Sequence, residues 1–408
     1  MVEVREIKTK KEQKEFIDFP LKLYKNNPYF VPPLYSDEKK IFRSDYVYYD
    51  TSEAIYFGAY IDGKMAGRIS GILQKSSNEK WNQKRIRFTR FDSIDSQEVA
   101  NALFGAVENW ARQKGMTEVV GPLGFSDLER EGLLIEGFSE LSTFEEQYNY
   151  SYYQKLIENQ GYEKEVDWIE KKLMRPKVID ERIERISNMM MKKYNLHWAK
   201  AKNTRDFLKK YGDQFFEILD KTYENIYGTV PFTAGMKKML IDNFKLIVDL
   251  KYVGVILDEN EKVVCFGLAF PSIAKAVQKS QGKLTISALF RLLKALKKPK
   301  VVDMALIGVL PEYEKKGIAS ALIAYNLKMF DDYGIEHLET NLCLEDNHNI
   351  QNMWKNFNFV IHKKRRCFVK QIKWYKKTNL YGNWRNRWCN TSSSISYWYA
   401  CFTSFYRR

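Results

Sequence analysis

The stretch that most limits what this chain can fold into runs from Val301 to Phe330, VVDMALIGVLPEYEKKGIASALIAYNLKMF. An apolar run, Met304 to Leu310, stops at Pro311, and helical spacing of apolar residues opens near Gly317 after a short polar loop. Strand, loop and helix start therefore follow one another directly. Gly317 allows a tight backbone turn, and the N–H groups of Lys316, Gly317, Ile318 and Ala319 would point out of the helix start together with its dipole. A corner of this kind binds phosphate. An ordinary strand-to-helix turn would carry the same single glycine, so the surrounding residues decide between the two readings.

Those surroundings carry a resemblance. PEYEKKGIASALI resembles motif A of the GNAT acetyltransferase superfamily, in which Arg or Gln, two residues, Gly, one residue, and Gly or Ala cradle the coenzyme A pyrophosphate. Glu314, Gly317 and Ala319 occupy those positions; Glu314 departs from the pattern, and an acid there repels the diphosphate. Farther on, NHNIQNMWKNFNF resembles motif B, with Asn347 as its leading Asn and Trp354 where many members carry a Tyr that acts as general acid. An indole N–H cannot give up its proton at working pH. From Val2 to Ile372 the chain resembles a bacterial subgroup of long GNAT-like acyltransferases, through GPLGFSDLEREGLLIEGF, YGTVPFT, AFPS, LETNLCLEDN and HKKRRC. The resemblance implies no tightly bound cofactor, acyl-coenzyme A as co-substrate and direct attack by an amine acceptor. The binding residues it implies are Leu310, Glu314, Lys315, Lys316, Gly317, Ile318, Ala319, Ser320, Asn347 and Trp354.

Composition narrows the class. The chain of 408 residues, 45% hydrophobic and 15% aromatic, is globular and long enough for two or three cores. The charged N-terminus and the absence of long apolar runs suggest a cytoplasmic protein, with peripheral contact at the inner face of the membrane left open. Five cysteines without CxxC spacing read as reduced thiols, without a metal. Of the net charge of +15, residues 347–408 supply thirteen Lys or Arg and no acid, and residues 271–300 supply eight and no acid. No helix-turn-helix, zinc-finger or RNA-binding signature accompanies them, so no specific nucleic acid is expected.

In chain order, a helix capped by Thr9, a hairpin turning at Asp62-Gly63, a strand at Arg85–Phe91 and a helix from Asp95 to Gly115 are followed by a strand at 118–120, a helix ending at Gly161 and a strand at 162–173. Residues 196–373 repeat that order. The expected fold is α/β: two tandem GNAT-like domains, each a mixed, mostly antiparallel sheet flanked by helices. Residues 1–173 form the first, 174–195 a linker, 196–373 the acyl-coenzyme A-binding domain, and 374–408 a basic aromatic tail outside the core. In the first half, Asp92, Asp95 and Glu98 stand where a diphosphate would sit, so that copy is expected not to bind it.

Candidate general bases lie on the strand leaving the central unit. Glu339 and Glu345 share a face under strict alternation, and burial would raise the Glu339 pKa toward a useful value; His348 is a third candidate. Finally, GKLTISALFRLLKALKKPK (282–300) combines a broad apolar face with only positive charge, as in a helix lying on an anionic bilayer or, equally, one packed against a core. The expected activity is acyl transfer to an amine, long-chain or membrane-associated in one version; the alternative is an inactive acyl-coenzyme A sensor, favoured by Glu314 and Trp354.

Overall fold

The computed structural model describes residues 1–373. The expected tail beyond 374, with Cys389 and Cys401, lies outside the described residues. In the first half the strands are β1 (Glu3–Glu6), β2 (Ser52–Ile61), β3 (Lys64–Gln74), β4 (Arg85–Ser93), β5 (Glu118–Gly121), β6 (Leu133–Glu136) and β7 (Glu163–Met174). The second half adds β8 (His197–Trp198), β9 (Val253–Leu257), β10 (Val263–Pro271), β11 (Val301–Val309), β12 (His337–Thr340), β13 (Cys343–Leu344) and β14 (Asn358–Gln371). Helices α1 (Lys10–Leu23), α2 (Tyr35–Lys40), α3 (Lys75–Trp81), α4 (Gln97–Gln113), α5 (Tyr152–Glu158) and α6 (Glu181–Lys193) precede α7 (Thr204–Tyr223), α8 (Ala234–Ile247), α9 (Ala274–Ser280), α10 (Ile286–Lys297), α11 (Ala319–Tyr333) and α12 (His348–Met353).

Local sequence explains the ends of these elements. Thr9 and Glu12 form a capping box at α1, and Ser96, Asn203 and Thr233 cap α4, α7 and α8. Asp62 and Gly63 both take positive φ, 49° and 74°, which lets the β2–β3 hairpin close in two residues. The expected linker at 174–195 holds α6, which packs on α11 through residues such as Ile183.

All the strands join one mixed sheet, in the order β1-β2-β3-β4-β5-β14-β7-β12-β11-β10-β9-β8, with β6 on β14 and β13 on β7. Each half contributes a parallel pair, β4 with β5 and β11 with β12. The last strand of each half crosses to the other: β14 pairs with β5, β7 pairs with β12, and the two pair with each other from Asn358↔Met174 to Val369↔Glu163. Much of the basic excess of 347–408 is used here. Lys363 and Arg365 point to one face and meet buried Glu170; Lys364 and Arg366 point to the other and meet Asp167. The apolar core of the first half centres on α4 against β3 and β4, and that of the second on α7 and α11 against β9 and β10. No helix among the described residues is long and apolar enough to cross a membrane.

Candidate active site

The site begins where two parallel strands part. The β11–β12 ladder runs from Val301↔His337 to Met304↔Thr340, and the Asn341 N–H still reaches the Met304 carbonyl at 3.1 Å. Beyond that point Ala305–Val309 and Asn341–Leu344 separate, and both line a cavity of about 710 Å³. The freed edge of β11 is partly satisfied by Tyr223, whose hydroxyl donates to the Ile307 carbonyl (3.1 Å) and accepts from its N–H (3.3 Å).

The phosphate corner follows β11. Leu310 is buried and donates its N–H to the Val264 carbonyl, and Pro311–Lys316, which includes Lys315, forms a 3₁₀ turn. Gly317 takes φ 74°, a conformation that favours glycine. Ser320 donates from N–H and hydroxyl to the Gly317 carbonyl, Ile318 is buried in the core, and Lys316 lies over the Tyr194 and Tyr313 rings. The N–H groups of Gly317, Ile318 and Ala319 meet no acceptor among the described residues. Glu314 and Ala319 line the cavity. So do Asn347, which caps α12 by accepting the Ile350 N–H, and Trp354. Trp354 is 2% exposed and its indole N–H has no oxygen acceptor among the described residues, with the Cys343 thiol as its neighbour.

The equivalent corner of the first half is filled by its own side chains. Asp92 is buried against Arg68 (2.8 Å) and the Tyr24 hydroxyl (3.0 Å), and the Ser93 N–H donates to the Tyr153 hydroxyl. Asp92 is therefore neutralised inside the core instead of facing outward beside Asp95 and Glu98, and the Ser93 N–H at this corner is already bonded.

None of the three base candidates lines the cavity. Alternation fails because β12 ends at Thr340 and pairing resumes only at Cys343. Glu339 is buried in a cluster with Lys363 (3.2 Å) and His337 (3.3 Å). Burial alone would raise its pKa as expected, but the Lys363 ammonium and then His337 outweigh burial and hold it at about 2. Glu345 is ion-paired with Lys164, and His348 is an exposed first residue of α12.

Apart from Glu314, the carboxylates that face the cavity come from the first half, on the long connection between β5 and α5. Glu131, Glu145 and Glu146 all line it. Two arginines grip the chain around the last pair: Arg130 donates to the Phe144 carbonyl at 2.7 Å and Arg365 to the Gln147 carbonyl. Asn149 fixes the same connection by bonding both polar groups of Leu134. One buried oxygen each of Glu131 and Glu146 has no hydrogen-bond partner. Burial, only partly offset by the Glu145 N–H and Arg130, pushes the Glu145 carboxyl up to about 7. Burial, with Arg365 opposing and Glu170 reinforcing, pushes Glu146 up to about 8. The available sequence signal was the connection itself, nearly thirty residues with little regular structure, a length that usually marks function.

Apolar side chains from α7 and α8, among them Phe207, Phe215, Phe216, Leu240 and Phe244, complete the walls. The cavity thus combines one edge of the strand-to-helix corner, a slot between parted strands, an apolar chamber and buried carboxylates. Residues 213–359, which contain the corner, the slot and motif B, match the model of the Acetyltransferase (GNAT) family. Among curated proteins, the chain is 26% identical to Protein YghO of Escherichia coli over 90% of its own length and 95% of that protein. It is 25% identical to the Bacterial ceramide synthase of Caulobacter vibrioides, over 90% and 96% of the two chains. Its fold is similar to a tandem GNAT protein from the clavulanic acid biosynthesis pathway, at TM-score 0.54 and 9% identity, covering 92% of this chain and all of that one. Residues 213–359 thus match a GNAT acetyltransferase domain, and the chain as a whole has a fold similar to that of a tandem GNAT protein.

Proposed function

We propose that this protein is an acyl-coenzyme A-dependent N-acyltransferase whose acceptor is a long-chain amine. The observation that carries the reading is one cavity lined by Glu314 and Ala319 at the two ends of the corner, by a large apolar wall and by the buried carboxylates of the first half. The free N–H groups of Gly317–Ala319 suit a diphosphate, and the gap between β11 and β12 suits an extended amide-bearing arm. Glu314 weakens the corner electrostatically without removing its backbone donors. The relative named a ceramide synthase supports the acceptor class, since a ceramide is an amide of a fatty acid and a long-chain amino alcohol. On this reading residues 1–173 are a copy that does not bind coenzyme A and supplies the base, while 196–373 binds the thioester.

The chemistry needs a neutral amine beside the thioester carbonyl. Glu145 and Glu146 act as the base pair: held near neutral pKa, one carboxylate accepts the ammonium proton, the amine nitrogen bonds to the carbonyl carbon, and as the carbon–sulfur bond breaks the nitrogen's second proton passes to the departing sulfur. Coenzyme A therefore leaves as the thiol, the sulfur taking the proton that the nitrogen sheds, so no separate acid residue is required. The Trp354 N–H, which has no oxygen acceptor among the described residues, is suited to hydrogen-bond the departing sulfur.

The test is thiol release with amide detection by mass spectrometry, using acyl-coenzyme A donors of graded length against short and long-chain amines. Amide formation with a long-chain amine is expected. Coenzyme A binding without amide from any pair would favour the sensor reading, which Glu314 and Trp354 support.

A further inference from the structure

The hairpin of α9 and α10, inserted between β10 and β11, presents an apolar face to solvent. Ile286, Leu289, Phe290 and Leu293 fall on one side of α10, at 79%, 55%, 70% and 54% exposure, and Leu284 just before the helix is 59% exposed. A soluble helix normally turns such residues inward. Here the inward side is a different stripe: Ala288 is fully buried, and Leu292 and Leu296 pack against the cluster of Val31, Ile273, Ala274 and Val277. The expectation of a purely core-packed helix therefore fails, because α10 has two apolar faces and only one is covered.

The third face is basic. Arg291, Lys294 and Lys298 follow one another at helical spacing and are exposed, and Lys297 continues the apolar stripe. None of these four makes an ion pair with the described residues. Just outside the helix, Lys283 and Lys39 flank the Tyr35 ring at 5.7 and 5.0 Å. The hairpin is anchored, with Gln278 donating to the Pro28 and Phe30 carbonyls and the Tyr35 N–H to Gly282. Twelve residues of helix span about 18 Å, well short of a bilayer core of about 30 Å, so the helix can lie on a membrane but not cross it.

We infer that α10 is a docking helix for an anionic lipid surface. Exposed apolar residues flanked by cations without counterions match acyl chains beneath anionic headgroups. A second copy of the same face would bring like charges together, which disfavours a dimer there. The position gives the contact a use: the inner face of α10 packs on the same apolar cluster as Leu141 and Phe144, which lie just before Glu145 and Glu146 in the chain. A lipid-borne molecule would meet the protein beside the connection that lines the cavity. The inference rests on the exposed helix alone and holds whichever reaction the cavity performs.

Sedimentation of the full chain with phosphatidylcholine vesicles, with and without phosphatidylglycerol, tests it. The wild type should partition at least about tenfold more strongly onto the anionic vesicles and be released by salt. Phe290→Ser with Leu293→Ser, and separately Arg291→Glu with Lys294→Glu and Lys298→Glu, should each lower partitioning by about tenfold or more while leaving thermal melts unchanged, since the residues are exposed. Absence of wild-type binding, equal binding to both vesicle types, or wild-type behaviour in either variant would overturn the inference. So would a dimer that the variants split without vesicles present.

Discussion

Replacing Lys363 with Met should destabilise the protein by about 3 kcal/mol at pH 7, and by less in acid. The Lys363 side chain is fully buried, with its ammonium 2.9 Å from Glu170 and 3.2 Å from Glu339. Glu170 keeps a second partner, Arg365 at 2.6 Å. Glu339 keeps only histidines: His337, and His362, whose pKa burial and Lys363 lower to about 4, so that it is neutral at pH 7. The pKa of Glu339 lies at about 2 against an ordinary 4.5. At 1.36 kcal/mol per pKa unit the folded state gains about 3.4 kcal/mol from its ionised form, in line with the roughly 3–5 kcal/mol cost of stranding one member of a buried pair. For a folded unit of this size 3 kcal/mol shifts the melting midpoint by about 4 °C. The sign follows from the depressed pKa: the stabilisation is fully present above about 4.5 and is lost as pH falls toward 2, so about 0.8 kcal/mol is gone at pH 4. Burial raises the stranded carboxyl's pKa in the variant and closes the gap further. Scanning calorimetry of wild type and variant at pH 7 and pH 4 measures both gaps. A shift under about 1 °C at pH 7, or an equal shift at both pH values, would refute the assignment of Glu339 to a structural ion pair.

Other expectations concern the site. Glu146→Gln or Glu145→Gln should lower turnover by about a hundredfold, and wild-type kcat/KM should fall as pH drops below the 7-to-8 range in which the pair titrates, measured by thiol release across pH. Glu339→Gln should keep turnover within about threefold while lowering the melting midpoint, because its carboxylate pairs with Lys363 and does not line the cavity. Gly317→Glu should abolish coenzyme A binding by titration calorimetry, since it adds a second acid beside Glu314 and forces a side chain at φ 74° toward Met190. Leu240→Trp, which fills part of the apolar lining, should shift preference toward shorter donors or acceptors in the same assay.

Most secondary elements of both halves were legible in the sequence, because hairpin, caps and helical spacing are local. Asp62-Gly63, Thr9 with Glu12, and the strand-to-helix corner at Gly317 each act within a few residues, and the chain folds there as they dictate. The corner's neighbours Glu314, Ala319, Asn347 and Trp354 were legible for the same reason, since motif spacing survives without knowledge of the fold. Charge meaning was not. Lys363 and Arg365 counted as surplus basicity until the exchange of β7 and β14 set them against Glu170, and Glu339 read as a poised base until the same exchange put Lys363 beside it. The carboxylates of the site were invisible for a related reason: Glu131, Glu145 and Glu146 lie well over a hundred residues before the phosphate corner, and only the joining of both halves in one sheet brings them to its cavity. The sequence by itself determined which segments become strands and helices and where the strand-to-helix corner at Gly317 forms, because those depend on neighbours along the chain. Which charges are neutralised, which carboxylates are pushed toward neutral pKa and which face of α10 remains uncovered were decided by the tertiary structure alone, because burial and pairing are properties of residues brought together from distant parts of the chain.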